Sequence, residues 1–255
     1  MSVKYVDSEE ENGPQQASPD QVSENTEGLV RARPVIPYFT FALIASLAAV
    51  YLFQVAAGFT NSFQFAEANN QLIRKGEFWR LITGATMHGF SLHLILNCLA
   101  FYSLGSAIEF LSNRSHLAIV FLFSVAGGSL MSVILSPDIN SVGASGGILG
   151  LAGYLTIYGY KRRRLLPPGF LRNMLINVGF VAAMGIIGYQ YIDNAAHLGG
   201  FLVGAVYGFI QIPKDLYEDP RKVDSLTVLL GYGTLAAFMG FAVLSILLIT
   251  QKITL

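Results

Sequence analysis

Ser145 stands in the run Gly143-Ala144-Ser145-Gly146-Gly147 at the head of an apolar segment, and His197 stands in a second apolar segment about fifty residues later. A hydroxyl and an imidazole are the two halves of an activated nucleophile, in which the ring nitrogen removes a proton while the oxygen attacks a carbonyl. Both residues lie where polar groups are costly, and ionisable side chains within membrane segments are rare and by default functional. Upstream lie His88, His93 and Asn97. His93 and Asn97 are four apart and project from one helix face, where two side-chain donors can hold an oxyanion.

Each of these residues also has a plainer explanation. Gly143, Gly146, Gly147, Gly150 and Gly153 accompany the serine, and Gly199, Gly200, Gly204 and Gly208 accompany the histidine. Small residues four apart let membrane helices approach closely, and Gly200, Gly204 and Gly208 fall within about 60° of His197 around a helix. Packing accounts for the glycines but not for the histidine, and close packing is what a nucleophile and base on separate helices require. For His93 and Asn97 the alternative is hydrogen bonding between helices. Asp193, four residues before His197, has the spacing of a third triad member, but its place just before a helix favours N-capping. Metal binding is disfavoured, because His-Glu-x-x-His is missing and His88 and His93 would sit about 140° apart around a helix. No cofactor is expected. Cys98 is the only cysteine, which excludes an intramolecular disulfide and leaves packing as its role.

The composition says what must position these groups. Of 255 residues, 53% are hydrophobic and 13% charged, against roughly 25% charged in soluble domains. This is the composition of a polytopic membrane protein, with the lipid bilayer as its surroundings and no basic surface for nucleic acid, the net charge being zero. Acidic residues concentrate at one end: Asp7, Glu9, Glu10, Glu11, Asp20, Glu24 and Glu27 face only Lys4 within the first thirty residues. Residues 1–36 read as a disordered acidic tail, without the basic start and apolar centre of a signal peptide.

Seven apolar stretches are expected to be spans: Tyr38 to Ala57, Leu92 to Phe110, Leu117 to Leu135, Ser145 to Tyr160, Met174 to Tyr191, Asn194 to Ile212 and Ser225 to Ile249. The connection from Gly58 to Ser91, with Phe63, Phe65, Phe78 and Trp79, reads as an interfacial structure. Trp79 and Arg80 suit an interface, the cation snorkelling to headgroups, and Glu109 is expected to face headgroups or pair with a neighbour. The basic run Lys161 to Arg164 sets the end of the fourth span inside, which puts eleven Lys and Arg on the cytoplasmic side against four outside. The N-terminus is then cytoplasmic, and Ser145, His197, His93 and Asn97 all fall near the outer face. The fourth span rises only ~24 Å, short of a ~30 Å hydrocarbon core, so Ser145 lies below the outer surface and needs a cavity for water.

This pattern resembles the rhomboid intramembrane serine proteases. Gly143-Ala144-Ser145-Gly146 with Leu151, Gly153 and Tyr154 is similar to the family's nucleophile motif, and Ala196-His197 with Gly200 and Gly204 to its histidine motif. His88, His93 and Asn97 fit its second-helix pattern, Trp79-Arg80 its first-loop pair, and Leu104-Gly105 with Glu109 the close of that helix. The resemblance covers about Tyr38 to Ile212 and implies an all-α polytopic bundle with a six-helix catalytic core, residues 37–213. Residues 214–255 then form a linker and a seventh transmembrane helix. It further implies a Ser145–His197 dyad, an oxyanion site from the Ser145 N–H, His93 and Asn97 with help from His88, and transmembrane proteins as substrates, cleaved near their outer ends. Two rivals remain at this level: a non-catalytic rhomboid-like binder of membrane helices, and a channel or carrier, which the absence of internal repeats disfavours.

Overall fold

The structure, a computed structural model, describes residues 35–253. The acidic residues of the expected tail lie outside that range. Among the described residues, ten helices and one short ribbon follow in order: α1 (Tyr38–Ala57), α2 (Phe59–Ala66), β1 (Ala68–Asn69), α3 (Asn70–Arg74), α4 (Arg80–Thr86), α5 (Ser91–Leu111), α6 (Arg114–Leu135), β2 (Asn140–Ser141), α7 (Ser145–Lys161), α8 (Phe170–Ile187), α9 (Asn194–Gln211) and α10 (Ser225–Ile249).

Every expected span is a helix, because an apolar chain in lipid must satisfy its backbone groups internally. α1, α5, α6, α8 and α10 are long and apolar enough to cross a membrane. The chain is an all-α, polytopic integral membrane protein. The two long helices that fall short of that description are the ones beginning at Ser145 and carrying His197. α7 has only 17 residues, and glycines and polar ends dilute the hydropathy of α9. One span is displaced from its expected place: α8 runs from Phe170 to Ile187 rather than from Met174 to Tyr191. Pro167, Pro168 and Gly169, the last at φ 89°, fix its start, and Gly188 ends it.

α6 is the most enclosed of the five apolar helices, with 12 of its 22 residues buried. It packs against α7, α9 and α10, and α10 also contacts α1, α2 and α4. Rings of Phe101, Phe121 and Phe238 link α5, α6 and α10 edge to face, with centroids 4.7 and 4.9 Å apart. At the end of the bundle opposite Ser145, Glu109 is buried and accepts from the Thr40 backbone N–H and Oγ1, both at 2.8 Å. Pro37 gives α1 no side-chain cap, so Glu109 supplies from α5 the acceptor that a free helix N–H needs.

The long connection is ordered structure, built from α2, α3, α4 and an antiparallel pairing of β1 with β2 (Ala68 with Ser141, Asn69 with Asn140). The snorkelling expected of Arg80 is corrected here. Its guanidinium is buried, pairs with Glu77 at 2.6 Å, and donates to the carbonyls of Glu67 and Gln64 at 3.0 Å each. The chain reversal after Gly76, at φ 111°, folds these carbonyls around the cation. Arg80 therefore clasps the connection together and does not reach for headgroups.

Candidate active site

Gly143 has a positive φ of 124°, a backbone that side-chain-bearing residues rarely adopt, and donates its N–H to the Gly84 carbonyl of α4 at 3.0 Å. A Cβ at this position would lie 2.7 Å from Cε1 of His93, so glycine is demanded by both backbone and space. The turn delivers Ser145 as the first residue of α7, partly buried, with its N–H among the unpaired donors of the helix N-terminus. His197 lies in the first turn of α9, and its Nε2 is 2.7 Å from Ser145 Oγ. Two side chains 52 residues apart thus share a hydrogen bond at one end of the bundle.

That contact depends on the seam between α7 and α9. A methyl group at Gly200 would overlap the Gly146 carbonyl, and one at Gly204 would overlap the Gly150 carbonyl. From α6, a Cβ on Gly128 would meet the Ala196 carbonyl of α9 at 2.6 Å. The backbones approach as closely as small residues permit, which leaves the first turns of α7 and α9 side by side.

The other expected residues divide into those near the pair and those remote from it. The His93 ring lies against Gly143, with the His88 ring 5.2 Å away, centroid to centroid. Asn97 is buried, and its Nδ2 donates to the His93 carbonyl on its own helix at 2.9 Å. His88 is fully buried, and neither ring nitrogen has a partner among the described residues. Burial first, and then the neighbouring His93, push its imidazole down to about 3, so His88 is neutral at physiological pH. Arg80 and Glu109 are held by the partners described above, none of which is Ser145, and the indole N–H of Trp79 is buried without a hydrogen-bond partner among the described residues. Asp193 caps α9, its Oδ1 accepting from the Ala196 N–H at 2.9 Å.

Three supporting residues were not singled out by their spacing. Gln54 of α1 is fully buried and grips the backbone of His88 from both sides, accepting from its N–H at 3.0 Å and donating to its carbonyl at 3.2 Å. Asn70 and Ser132 form a second buried pair at 2.9 Å. A polar side chain inside an apolar helix is itself the signal that marks Gln54 and Ser132.

The chain matches the Rhomboid domain family over residues 75–214. It belongs to the rhomboid family. The matched stretch of this rhomboid contains Trp79, Arg80, His88, His93, Asn97, Glu109, Ser145 and His197, and leaves out α1 and α10. Among similar proteins, "Rhomboid protease GluP" of Bacillus subtilis (strain 168) is 33% identical over 176 residues, which make up 66% of this chain and 34% of that protein. "RHOMBOID-like protein 5" of Arabidopsis thaliana is 32% identical over 165 residues, 60% of this chain and 51% of that one. "Rhomboid-like protease 5" of Toxoplasma gondii is 33% identical over 149 residues, 56% of this chain and 17% of that one. The aligned part of the chain thus spans at most about half the length of these relatives.

Proposed function

We propose that this rhomboid is an intramembrane serine endopeptidase in which Ser145 is the nucleophile and His197 the base. The observation that carries the reading is the 2.7 Å contact between His197 Nε2 and Ser145 Oγ. As Oγ attacks a peptide carbonyl, Nε2 takes its proton, then passes it to the leaving amine. The resulting acyl-enzyme is hydrolysed by water that enters from the Ser145 end. Because both Asp193 oxygens are engaged elsewhere, by the Ala196 N–H and the Ser132 hydroxyl, the pair works as a dyad.

The oxyanion is held by the Ser145 N–H at the start of α7, by His93, and by the second N–H of the Asn97 amide, with neutral His88 backing His93. Losing one such donor typically costs ~10² to 10³ in rate. Substrates are transmembrane proteins. A substrate helix hides its peptide bonds until it unwinds, which favours segments with Gly, Ala, Ser or Pro near the outer end. They reach Ser145 sideways past α8, with residues 188–193 as a cap over the cavity. The charge distribution supports a cytoplasmic N-terminus in the cell membrane, with residues 37–213 as the catalytic core and α10 added to it.

The test uses purified protein in liposomes with a labelled transmembrane substrate. Wild type cleaves it, and Ser145→Ala and His197→Ala each lose about 10³-fold or more. Equal cleavage by wild type and Ser145→Ala would overturn the assignment, and no cleavage by any of them would favour a non-catalytic binder of membrane helices.

A further inference from the structure

Ser145 and His197 arrive on separate helices, and one buried residue of the long connection touches the supports of both. Asn70, the first residue of α3, is 1% exposed. Its Nδ2 donates to the Ser136 carbonyl at 2.8 Å and to Ser132 Oγ at 2.9 Å. The first contact anchors the segment that runs through β2 to Gly143 and Ser145. The second begins a chain toward the histidine: Ser132 Oγ donates to Asp193 Oδ2 at 2.6 Å, and Asp193 Oδ1 accepts from the Ala196 N–H at 2.9 Å.

Every proton in that chain is accounted for. An amide carries two N–H donors and Asn70 uses both; a hydroxyl has a single proton to donate, which Ser132 gives to Asp193 while accepting from Asn70; a carboxylate only accepts. The chain therefore has one direction and no alternative arrangement that keeps all its bonds. It ends on the Ala196 N–H that Asp193 caps, one residue before His197. Ser132 is 1% exposed, and a carboxylate caps a helix start with both charge and geometry. The α7–α9 seam fixes how close the two helices come, but helices in contact can still slide along their axes. The cap, tied to the fixed connection, limits that slide.

We propose that Asn70, acting through Ser132 and Asp193, is a positioning residue that sets the depth of His197 against Ser145. This rests on the protease reading above, and it assigns to the connection a role in catalysis without contact with substrate. Reactions of this kind lose rate steeply when the reacting groups shift by an ångström.

The experiment measures kcat and KM for the full chain with a transmembrane substrate, beside amide hydrogen exchange in residues 194–198. Ser132→Ala is expected to lower kcat about tenfold at unchanged KM and to speed exchange in the first turn of α9. Ser132→Thr, which keeps the hydroxyl, restores most of the rate. Asn70→Ala combined with Ser132→Ala costs no more than the worse single change, as members of one network should. A wild-type kcat in Ser132→Ala, an effect confined to KM, no rescue by threonine, or additive losses would each overturn the proposal. If wild type and Ser145→Ala cleave alike, the protease reading fails on its own, and exchange in the first turn of α9 decides the chain: faster in Ser132→Ala supports it, and unchanged overturns it.

Discussion

α7 and α9 meet backbone against backbone, whereas α8, which lies between them in sequence, rests on the bundle lightly. At the seam, single methyl groups on Gly200 or Gly204 have no room. On α8, no side chain and no other element comes within 4 Å of where a Gly179 Cβ would be, and Gly185 is the one buried residue of the helix. Its anchors include the Phe170 ring against Gly159, Met174 against the core, and the Asn194 amide, which donates to the Gly185 carbonyl at 2.9 Å. Under the proposed mechanism a proton relay needs fixed backbones and a bulky substrate needs a movable wall, and the two requirements would fall on different helices. Regions with few buried contacts are those that open first.

The difference can be broken most sharply at the seam. Gly200→Val is expected to lower kcat/KM by about 100-fold or more, because overpacking displaces His197 from Ser145; cleavage assays on the folded fraction check it, and near-normal activity would mean that the seam is not what sets the contact. Removing acceptors at the far end tests stability apart from chemistry. Glu109→Ala leaves the Thr40 N–H without its partner and should cost about 1–3 kcal/mol in a denaturant or thermal melt, with activity per folded molecule unchanged.

Loosening α8 sharpens the other half of the comparison. Asn194→Ala removes one hydrogen bond, worth ~0.5–1.5 kcal/mol, and should raise kcat/KM for a transmembrane substrate about threefold while leaving reaction with a small phosphonate unchanged. The smallest effect is expected from Gly179→Ala, which should leave cleavage unaltered and stabilise the helix by at most ~1 kcal/mol, read from the same melt.

Much of this was legible in the sequence because lipid leaves an apolar chain so few choices. The seven helices follow from apolar length, and the shared end of Ser145 and His197 follows from the single span between their helices, which makes the two run in the same direction. The Asp193 cap was legible from its place before α9. The displaced ends of α8 were not read from hydropathy, since Pro167 to Gly169 decide its start and the apolar stretch runs past Gly188. Arg80 was misjudged because its partners, the carbonyls of Gln64 and Glu67, become neighbours only through a turn whose geometry no spacing reveals. Gln54 and Ser132 were missed for a related reason, since a polar side chain in an apolar helix announces a partner but not which one, and Asn70 was missed because a polar residue in a half-polar connection announces nothing. Asn70 and Ser132 stand 62 residues apart.

The proposed dyad is tested most directly by covalent capture. Wild-type protein and the His197→Ala variant, both folded, are exposed to a fluorophosphonate and the labelled peptide is located by mass spectrometry. The phosphonate should attach to Ser145 in wild type and react far more slowly in His197→Ala. Attachment elsewhere, or equal labelling of Ser145 in both, would contradict the assignment of His197 as its base.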